Sequence, residues 1–356
     1  MKIRRDLDES FFDNGFNDTN DVFQRGDLAR RLTGLYENLE QGTVSILDGR
    51  WGTGKSVFAR QWKFHLEARG VPCIYFDAFA ADYIDSPFRA IATAFVREVQ
   101  AVRSSEREFY EKFVSALSKA AKSIAAPTAK FAVKAVSFGL IGAAEIESAK
   151  EITDEIASGL GDISEASVKA MLEEQANDEA NFRALQVSLE QLPSLLSKPV
   201  KGLEKDESET PLIIIIDELD RCRPDFALGI LECLKHFFRA RRLHFVLVTN
   251  VNHLLLSVQS RYGVGDAASE YIQKFYDFLI PFEVGGRSHG MSRTGHYAVN
   301  LLKELTGESR GEALEIFSEV GYIVSAYDLS IRQAEKIVIT FILARIDFKK
   351  MNCALL

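Results

Sequence analysis

The chain has 356 residues, 47% of them hydrophobic and 26% charged, with a formal net charge of −8. That length exceeds one average domain, the balance excludes a disordered or fibrous chain, and the acidic sum argues against a surface built as a whole for nucleic acid or anionic lipid. Four cysteines, Cys73, Cys222, Cys233 and Cys353, lie far apart without metal-ligand spacing, and MKIRRDLDESFFDNGF at the N-terminus does not resemble a signal peptide, so a reducing cytoplasm is the expected compartment.

Taken in chain order, TVSILD (Thr43 to Asp48) is apolar and β-branched and reads as a buried strand. It feeds a glycine-rich loop, GRWGTGKS, and then a helix expected from near Lys55 to Arg69 and Gly70. PCIYFDAF (Pro72 to Phe79) is the second strand. The interval from Phe88 to Glu209 is rich in Ala, Lys, Glu and Ser, with few strand formers, and reads as a helical insertion. Its middle, Ile124 to Ala144, approaches the roughly 20 apolar residues a membrane span needs. Lys130 and Lys134 interrupt it, at about 2.5–3.5 kcal/mol each at a bilayer centre, so an amphipathic or protein-buried helix is expected instead.

KGLEKDESET (Lys201 to Thr210) is a solvated loop returning to PLIIIID (Pro211 to Asp217), which has no polar alternation and reads as a central parallel strand covered on both faces. HFVLVTN (His244 to Asn250) follows, then FLIPFEV (Phe278 to Val284), where Pro281 places the strand at a sheet edge. GGRSHGMSRTG is a linker, and the remainder is helical by its apolar spacing. Strand alternating with helix predicts an α/β fold of three layers with a mostly parallel central sheet, a large helical insertion and a C-terminal helical region. The expected divisions are a lead-in at 1–40, a core at 41–88 and 209–285, the insertion at 89–208 and the C-terminal region at 286–356.

The loop fits G-x-x-x-x-G-K-[ST] at Gly49, Gly54, Lys55 and Ser56. Backbone N–H groups of such a loop and of the helix start wrap phosphates, so Gly49, Arg50, Trp51, Gly52, Thr53, Gly54, Lys55, Ser56 and Val57 are candidate nucleotide contacts. Lys55 would reach the β- and γ-phosphates and the Ser56 hydroxyl a Mg²⁺ ion. The alternative, a glycine turn with a surface lysine, is opposed by the strand before the loop and the helix after it. Trp51 occupies an unspecified position and need not touch phosphate; it could pack on the sheet or on the nucleotide-side helix.

PLIIIIDELDRC supplies a second signal, with Asp217 at a strand end placed to hold Mg²⁺ through water and Glu218 placed to polarise an attacking water. Glu218 could instead be an acidic residue at the start of the helix beginning near Pro224, and Asp220 a second carboxylate or an ion-pair partner of Arg221 or Arg223. In doubly wound sheets ligands sit at the carboxyl ends of strands, where Asp77, Asp217, Thr249 and Asn250 fall. Thr249 or Asn250 would sense the γ-phosphate, unless Asn250 only caps. Candidates for a stabilising cation are Arg221, Arg223, Lys274 and Arg332. FRARRLH (Phe238 to His244) reads as a solvated turn. H-x-x-x-H and G-x-S-x-G patterns are missing, which leaves metal-hydrolase and serine-hydrolase readings without support, and the lack of N-K-x-D tilts the base from GTP toward ATP.

In this order, GRWGTGKS, YFDAFAADYIDSPF, IIIIDELDRCRPDFALGILECLKHFF, FVLVTNVNHL and ASEYIQKFYDFLIPFE resemble the KAP family of P-loop NTPases, over Asp21 to Glu283 and most weakly in the insertion. The resemblance implies an ASCE-type ATPase core related to AAA+ and STAND proteins, with ATP and Mg²⁺ as cofactors. Family members include membrane-associated scaffolds in animals and phage-exclusion or defence proteins in bacteria, many with transmembrane helices inserted where this chain has its insertion. This sequence departs from the pattern in lacking a clear span, in having Glu218 where many relatives carry aspartate, and in having Asn250 at an often acidic position. The resemblance also implies that NDVFQRGDLARRL (Asn20 to Leu32) lines the adenine through Phe23, Arg25 or Leu28. The resulting expectation is a slowly hydrolysing ATP switch that meets protein partners through its insertion and C-terminal helices, a homo-oligomer being open, with membrane contact at most peripheral. Its rivals are a non-hydrolysing scaffold and a P-loop phosphotransferase.

Overall fold

A computed structural model describes residues 11–12, 15–17, 20–100, 105–125, 165–197, 210–237, 240–263, 268–282, 287–288, 290–308 and 312–354. In chain order the elements are α1 (Gly26–Glu37), β1 (Thr43–Asp48), α2 (Lys55–Glu67), β2 (Cys73–Asp77), α3 (Ala78–Ala81), α4 (Pro87–Gln100), α5 (Arg107–Ala125), α6 (Glu165–Glu190), α7 (Leu192–Leu196), β3 (Leu212–Asp217), α8 (Pro224–Phe237), β4 (Leu243–Thr249), α9 (Val251–Tyr262), α10 (Ala268–Gln273), β5 (Phe278–Pro281), β6 (Arg287–Ser288), β7 (Met291–Ser292), α11 (Arg293–Thr306), α12 (Glu312–Ala326) and α13 (Ile331–Ala354). They form two compact units, residues 1–94 with 192–356, and residues 95–191.

The first unit is organised by a five-stranded sheet of order β2-β3-β4-β1-β5 in which every pairing is parallel. Every residue of LIIIID in β3 and of LHFVLVT in β4 is buried, as continuous apolar runs in a doubly covered sheet require. On one face Leu47, Ile213, Ile215, Val246 and Val248 pack with Phe58, Trp62 and Leu66 of α2 and Leu32 and Tyr36 of α1. Residues of the opposite parity, Ile214, Ile216, Phe245 and Leu247, are equally buried, so helices cover both faces and the core has three layers. Trp62 is fully buried because its indole N–H finds the Thr33 hydroxyl at 3.0 Å. Pro281, which has no N–H to donate, ends β5 at the sheet edge.

β4 lies between β1 and β3, with Asp48 opposite Thr249 and Asp217 opposite Val248. The register therefore draws the carboxyl ends of three strands into one line, which is what assembles the site. The stretch expected to be a plain linker after β5 carries a short antiparallel pairing of β6 with β7. Ser292 then caps α11 by accepting from the Gly295 N–H at 3.1 Å, and α11, α12 and α13 close their own core around Leu302, Phe317, Val324, Ala334 and Val338. Phe23 of the lead-in packs against that core.

In the second unit α5 and α6 are joined by a hydrogen bond from the Asn181 amide to the Ser123 hydroxyl at 3.2 Å, and Phe113 is buried against Phe95 and Phe109. Most of the apolar segment from Ile124 to Ala144, and the loop from Lys201, lie outside the described residues. Among the described residues no helix is long and apolar enough to cross a membrane.

Candidate nucleotide site

The loop between β1 and α2 holds two glycines in the left-handed region, Gly52 at φ +78° and Gly54 at φ +84°. Gly54 ends the loop as the N-cap of α2 without a side-chain cap, so the first amides of that helix have no side-chain acceptor. Several of the loop carbonyls are engaged by the protein. Arg25 donates to Thr53 O at 2.6 Å and Gly54 O at 3.2 Å, the backbone N–H of Arg332 donates to Gly52 O at 3.3 Å, and the Thr53 hydroxyl donates to Arg50 O at 2.8 Å. The N–H groups of residues 50–56 make no hydrogen bond to an acceptor among the described residues. A loop whose carbonyls are held by its surroundings while its N–H groups stay unclaimed is a cradle suited to an anion.

Lys55 is buried, and its Nζ donates to Gly49 O and, at 3.2 Å, to Arg50 O. Burial lowers the pKa of this ammonium, while Asp220, Asp217 and Asp48 raise it. Arg25 is also buried, its guanidinium lying over the rings of Phe282 at 4.2 Å and Phe23 at 4.9 Å. Burial brings its pKa down to about 9, against the pull of Asp21. Of the lead-in residues expected near a base, Arg25 thus grips the loop from behind, Phe23 meets Tyr297 at 5.5 Å and Leu28 packs on the core.

Asp217, 1% exposed, ends β3 beside the loop. Its Oδ2 accepts from the Tyr75 hydroxyl at 2.6 Å, its Oδ1 accepts from the Glu218 N–H at 2.8 Å, and the Ser56 hydroxyl lies near enough to favour its charged form. Burial pushes its carboxyl up, and these three neighbouring donors pull it back down. Glu218 sits at φ +60°, a strained conformation for a residue with a Cβ, and its carboxylate pairs with Arg221 at 2.8 Å. Burial pushes Glu218 up as well, with Arg221 opposing and Asp217 adding to the rise.

Asp220 pairs with neither Arg221 nor Arg223, the partners its position in the sequence suggests. The turn after Glu218 sends it across the site instead, where its Oδ2 accepts from the Trp51 indole N–H and from the Asn250 N–H at 3.1 Å. Arg223 is held by Asp82, through hydrogen bonds of 2.5–2.9 Å, and Lys274 lies 5.9 Å from the Tyr271 ring. Asn250 caps α9, its side chain accepting from the Asn252 N–H at 3.1 Å, while the Thr249 hydroxyl is buried without a partner among the described residues. Asp77 caps α3 through the Ala80 N–H at 2.8 Å. Trp51, 44% exposed, stacks on His253 of α9 with centroids 3.8 Å apart. The basic turn before β4 places Arg241 3.4 Å from Glu40.

A cavity of about 680 Å³ opens here, with one wall formed by the loop from Trp51 to Val57 and by Asp217, Glu218, Asp220 and Arg221. The other wall belongs to α11 and α13, apolar at Leu301, Leu305, Ile331 and Ile339 and charged at Glu304, Arg332, Glu335 and Lys336. Arg221 and Arg332 are the two candidate cations that line it, and Val57 lies at the helix start. Sequence reasoning missed Tyr75 and His253, as well as the grip of Arg25 on the loop; each depends on which strands and helices become neighbours.

The residues fit the group their pattern implies. Mg²⁺ is characteristically held by one or two protein oxygens together with substrate phosphates and water, and the neighbouring oxygens of Ser56 and Asp217 at the mouth of an anion cradle offer that donor set.

A phosphate-cradling loop between strand and helix, with a buried strand-end carboxylate two strands away in a parallel sheet, defines a P-loop NTPase. The profile of the KAP family P-loop domain matches residues 33–288, and the chain belongs to that family. No curated protein matches it.

Proposed function

We propose that this chain binds Mg-ATP in the cavity and hydrolyses it slowly, as a conformational or assembly switch. The carrying observation is that the loop, Ser56, Asp217 and Glu218 share one cavity with α11 and α13, so a ligand on the phosphate side is also a ligand of the C-terminal helices. On this reading the N–H groups of residues 50–56 bind the phosphates, the Gly49 N–H being engaged by Thr249 O at 3.3 Å, and Lys55 leaves the loop carbonyls to reach the β- and γ-phosphates. Ser56 and Asp217 hold Mg²⁺, which would neutralise charge on the transferring phosphoryl group. Glu218 orients the attacking water, Asn250 senses the γ-phosphate from its place at the head of α9, and Arg221 or Arg332 supplies positive charge.

Pairing of Glu218 with Arg221 favours slow turnover, because a carboxylate engaged by a guanidinium must be released before it can accept a proton. The same pair supports the rival reading of a scaffold with no turnover. A cytoplasmic setting in a bacterial defence or signalling complex, with protein partners on the insertion and the C-terminal helices, is consistent with the family.

Lys55→Ala is expected to abolish Mg-ATP binding, measured by titration with a fluorescent analogue, while circular dichroism stays native. Unchanged affinity would sink the assignment. Phosphate release by wild type against Glu218→Gln, across protein concentrations, separates the readings. Release lost in the variant supports hydrolysis, no release from wild type supports the scaffold, and transfer to an added acceptor supports a phosphotransferase.

A further inference from the structure

We propose that Tyr75 is a positioning residue for the metal carboxylate, holding Asp217 in the orientation in which it meets Mg²⁺. The inference rests on the reading of Asp217 as the metal-side carboxylate. It begins from register: β2 pairs with β3 so that Tyr75 stands opposite Ile215 and Asp77 opposite Asp217. Tyr75 and Asp217 are therefore diagonal neighbours on one face of the sheet, a separation that an aromatic side chain spans. The hydroxyl lies 2.6 Å from Asp217 Oδ2.

The direction of that hydrogen bond follows from its surroundings. Arg60 of α2 lies with its guanidinium 5.5 Å from the Tyr75 ring centroid, and its Nε is 3.5 Å from the hydroxyl oxygen. A guanidinium only donates, so the hydroxyl oxygen faces donors on the α2 side and its own proton points at the carboxylate. Asp217 is thus held by two hydrogen bonds, from the Glu218 N–H of its own strand end and from the Tyr75 hydroxyl of the adjacent strand, with the Ser56 hydroxyl of α2 nearby. Ser56 and Glu218 belong to the segments that would contact nucleotide, metal or water. Tyr75 lines no part of the cavity, so its effect on the site passes through Asp217 alone.

Outer partners of this kind set the plane of a metal-binding carboxylate, and their loss commonly weakens metal affinity about 10–100-fold. Tyr75→Phe removes the hydroxyl and nothing else. The experiment uses the full chain and compares wild type, Tyr75→Phe and Asp217→Asn. Mg²⁺ is titrated at a fixed concentration of a fluorescent ATP analogue, Mn²⁺ binding is followed by loss of the free-ion electron paramagnetic resonance signal, and analogue affinity is measured again in EDTA. Tyr75→Phe is expected to need about 10–100-fold more metal with affinity in EDTA close to wild type, while loss of a hydrogen bond to a buried carboxylate lowers the thermal unfolding midpoint. A merely structural role would instead lower the metal-free affinity as much as the metal-supported one, and that result overturns the inference. So does a Tyr75→Phe metal dependence within twofold of wild type while Asp217→Asn shifts it. If Asp217→Asn also leaves the metal dependence unchanged, the assignment of Asp217 fails and the role of Tyr75 falls with it.

Discussion

Gly52→Ala is expected to separate the phosphate loop from the turn that opens α13. Gly52 lies at φ +78°, where an L-residue costs about 1–2 kcal/mol. The new Cβ would also stand 2.8 Å from Arg332 Cβ, 3.0 Å from Ser330 Oγ and 3.4 Å from the Arg332 N. None of these can swing aside cheaply. Arg332 Cβ is the root of its side chain, the Arg332 N–H is bonded to Gly52 O, and the Ser330 hydroxyl is tied to Gln333 Oε1 at 2.9 Å. Overpacking of this kind costs about 1–3 kcal/mol, so the expected loss of stability is about 2–5 kcal/mol. Urea unfolding with a fixed m-value would report it as a lower midpoint. Nucleotide affinity should fall as well, because the loop must leave its present path to clear Arg332. Arg332→Gly removes the nearest of these atoms, so the double variant should recover part of the overpacking share and keep the backbone share. The reasoning fails if Gly52→Ala costs under about 0.5 kcal/mol, or if the two substitutions are additive within about that margin.

Acid should weaken the fold through His244. Burial brings its imidazole down to about 4, with Arg242 lowering it further and a hydrogen bond to the Leu39 backbone opposing. Because the folded value lies below the unfolded one, near 6.5, the stabilisation is present above pH 6.5 and is lost as pH falls toward 4; at ~1.4 kcal/mol per unit it amounts to about 3 kcal/mol. Urea midpoints across that window should fall in wild type and flatten in His244→Gln. Arg25→Met should weaken the hold on the Thr53 and Gly54 carbonyls, lowering stability by about 1–3 kcal/mol and nucleotide affinity with it. Arg25→Lys should rescue little, since an ammonium does not reproduce the guanidinium fork that meets two adjacent carbonyls.

What the sequence announced was local in the chain. Lys55 and Ser56 follow Gly54 directly, Asp217 closes an unbroken apolar strand and Pro281 marks an edge, so spacing alone carried those readings. Charges adjacent in sequence misled where the backbone turned. Asp220 immediately precedes Arg221 and lies three residues before Arg223 in the written chain, yet the positive φ of Glu218 redirects it to Trp51, 169 residues away. The bond from Tyr75 to Asp217 spans 142 residues and follows from β2 being the neighbour of β3, a fact of strand order that no periodicity encodes. Trp51 is the instructive mixture. Its place in the loop was plain, but its partner could be known only once β4 lay between β1 and β3 and set His253 beside the loop.

The same arrangement bears on why a nucleotide here would act as a switch. A ligand shifts a conformational equilibrium only as far as its affinities for the two states differ. Of the two arginines lining the cavity, Arg221 is already paired with Glu218, whereas the side chain of Arg332 makes no ion pair among the described residues. Arg332 stands where it does because the turn before α13 rests on the loop, with its N–H on Gly52 O and Asp328 paired with Arg50. The Arg50 pair is exposed and contributes no more than about 1 kcal/mol, so that pair by itself does not fix the seat. Moving the C-terminal helices would therefore carry the charged side chains of that wall, Arg332 and Lys336 with Glu304 and Glu335, and its apolar residues out of reach of the phosphates together. Bound nucleotide would favour the seated state through both, and loss of the γ-phosphate would weaken the electrostatic share first.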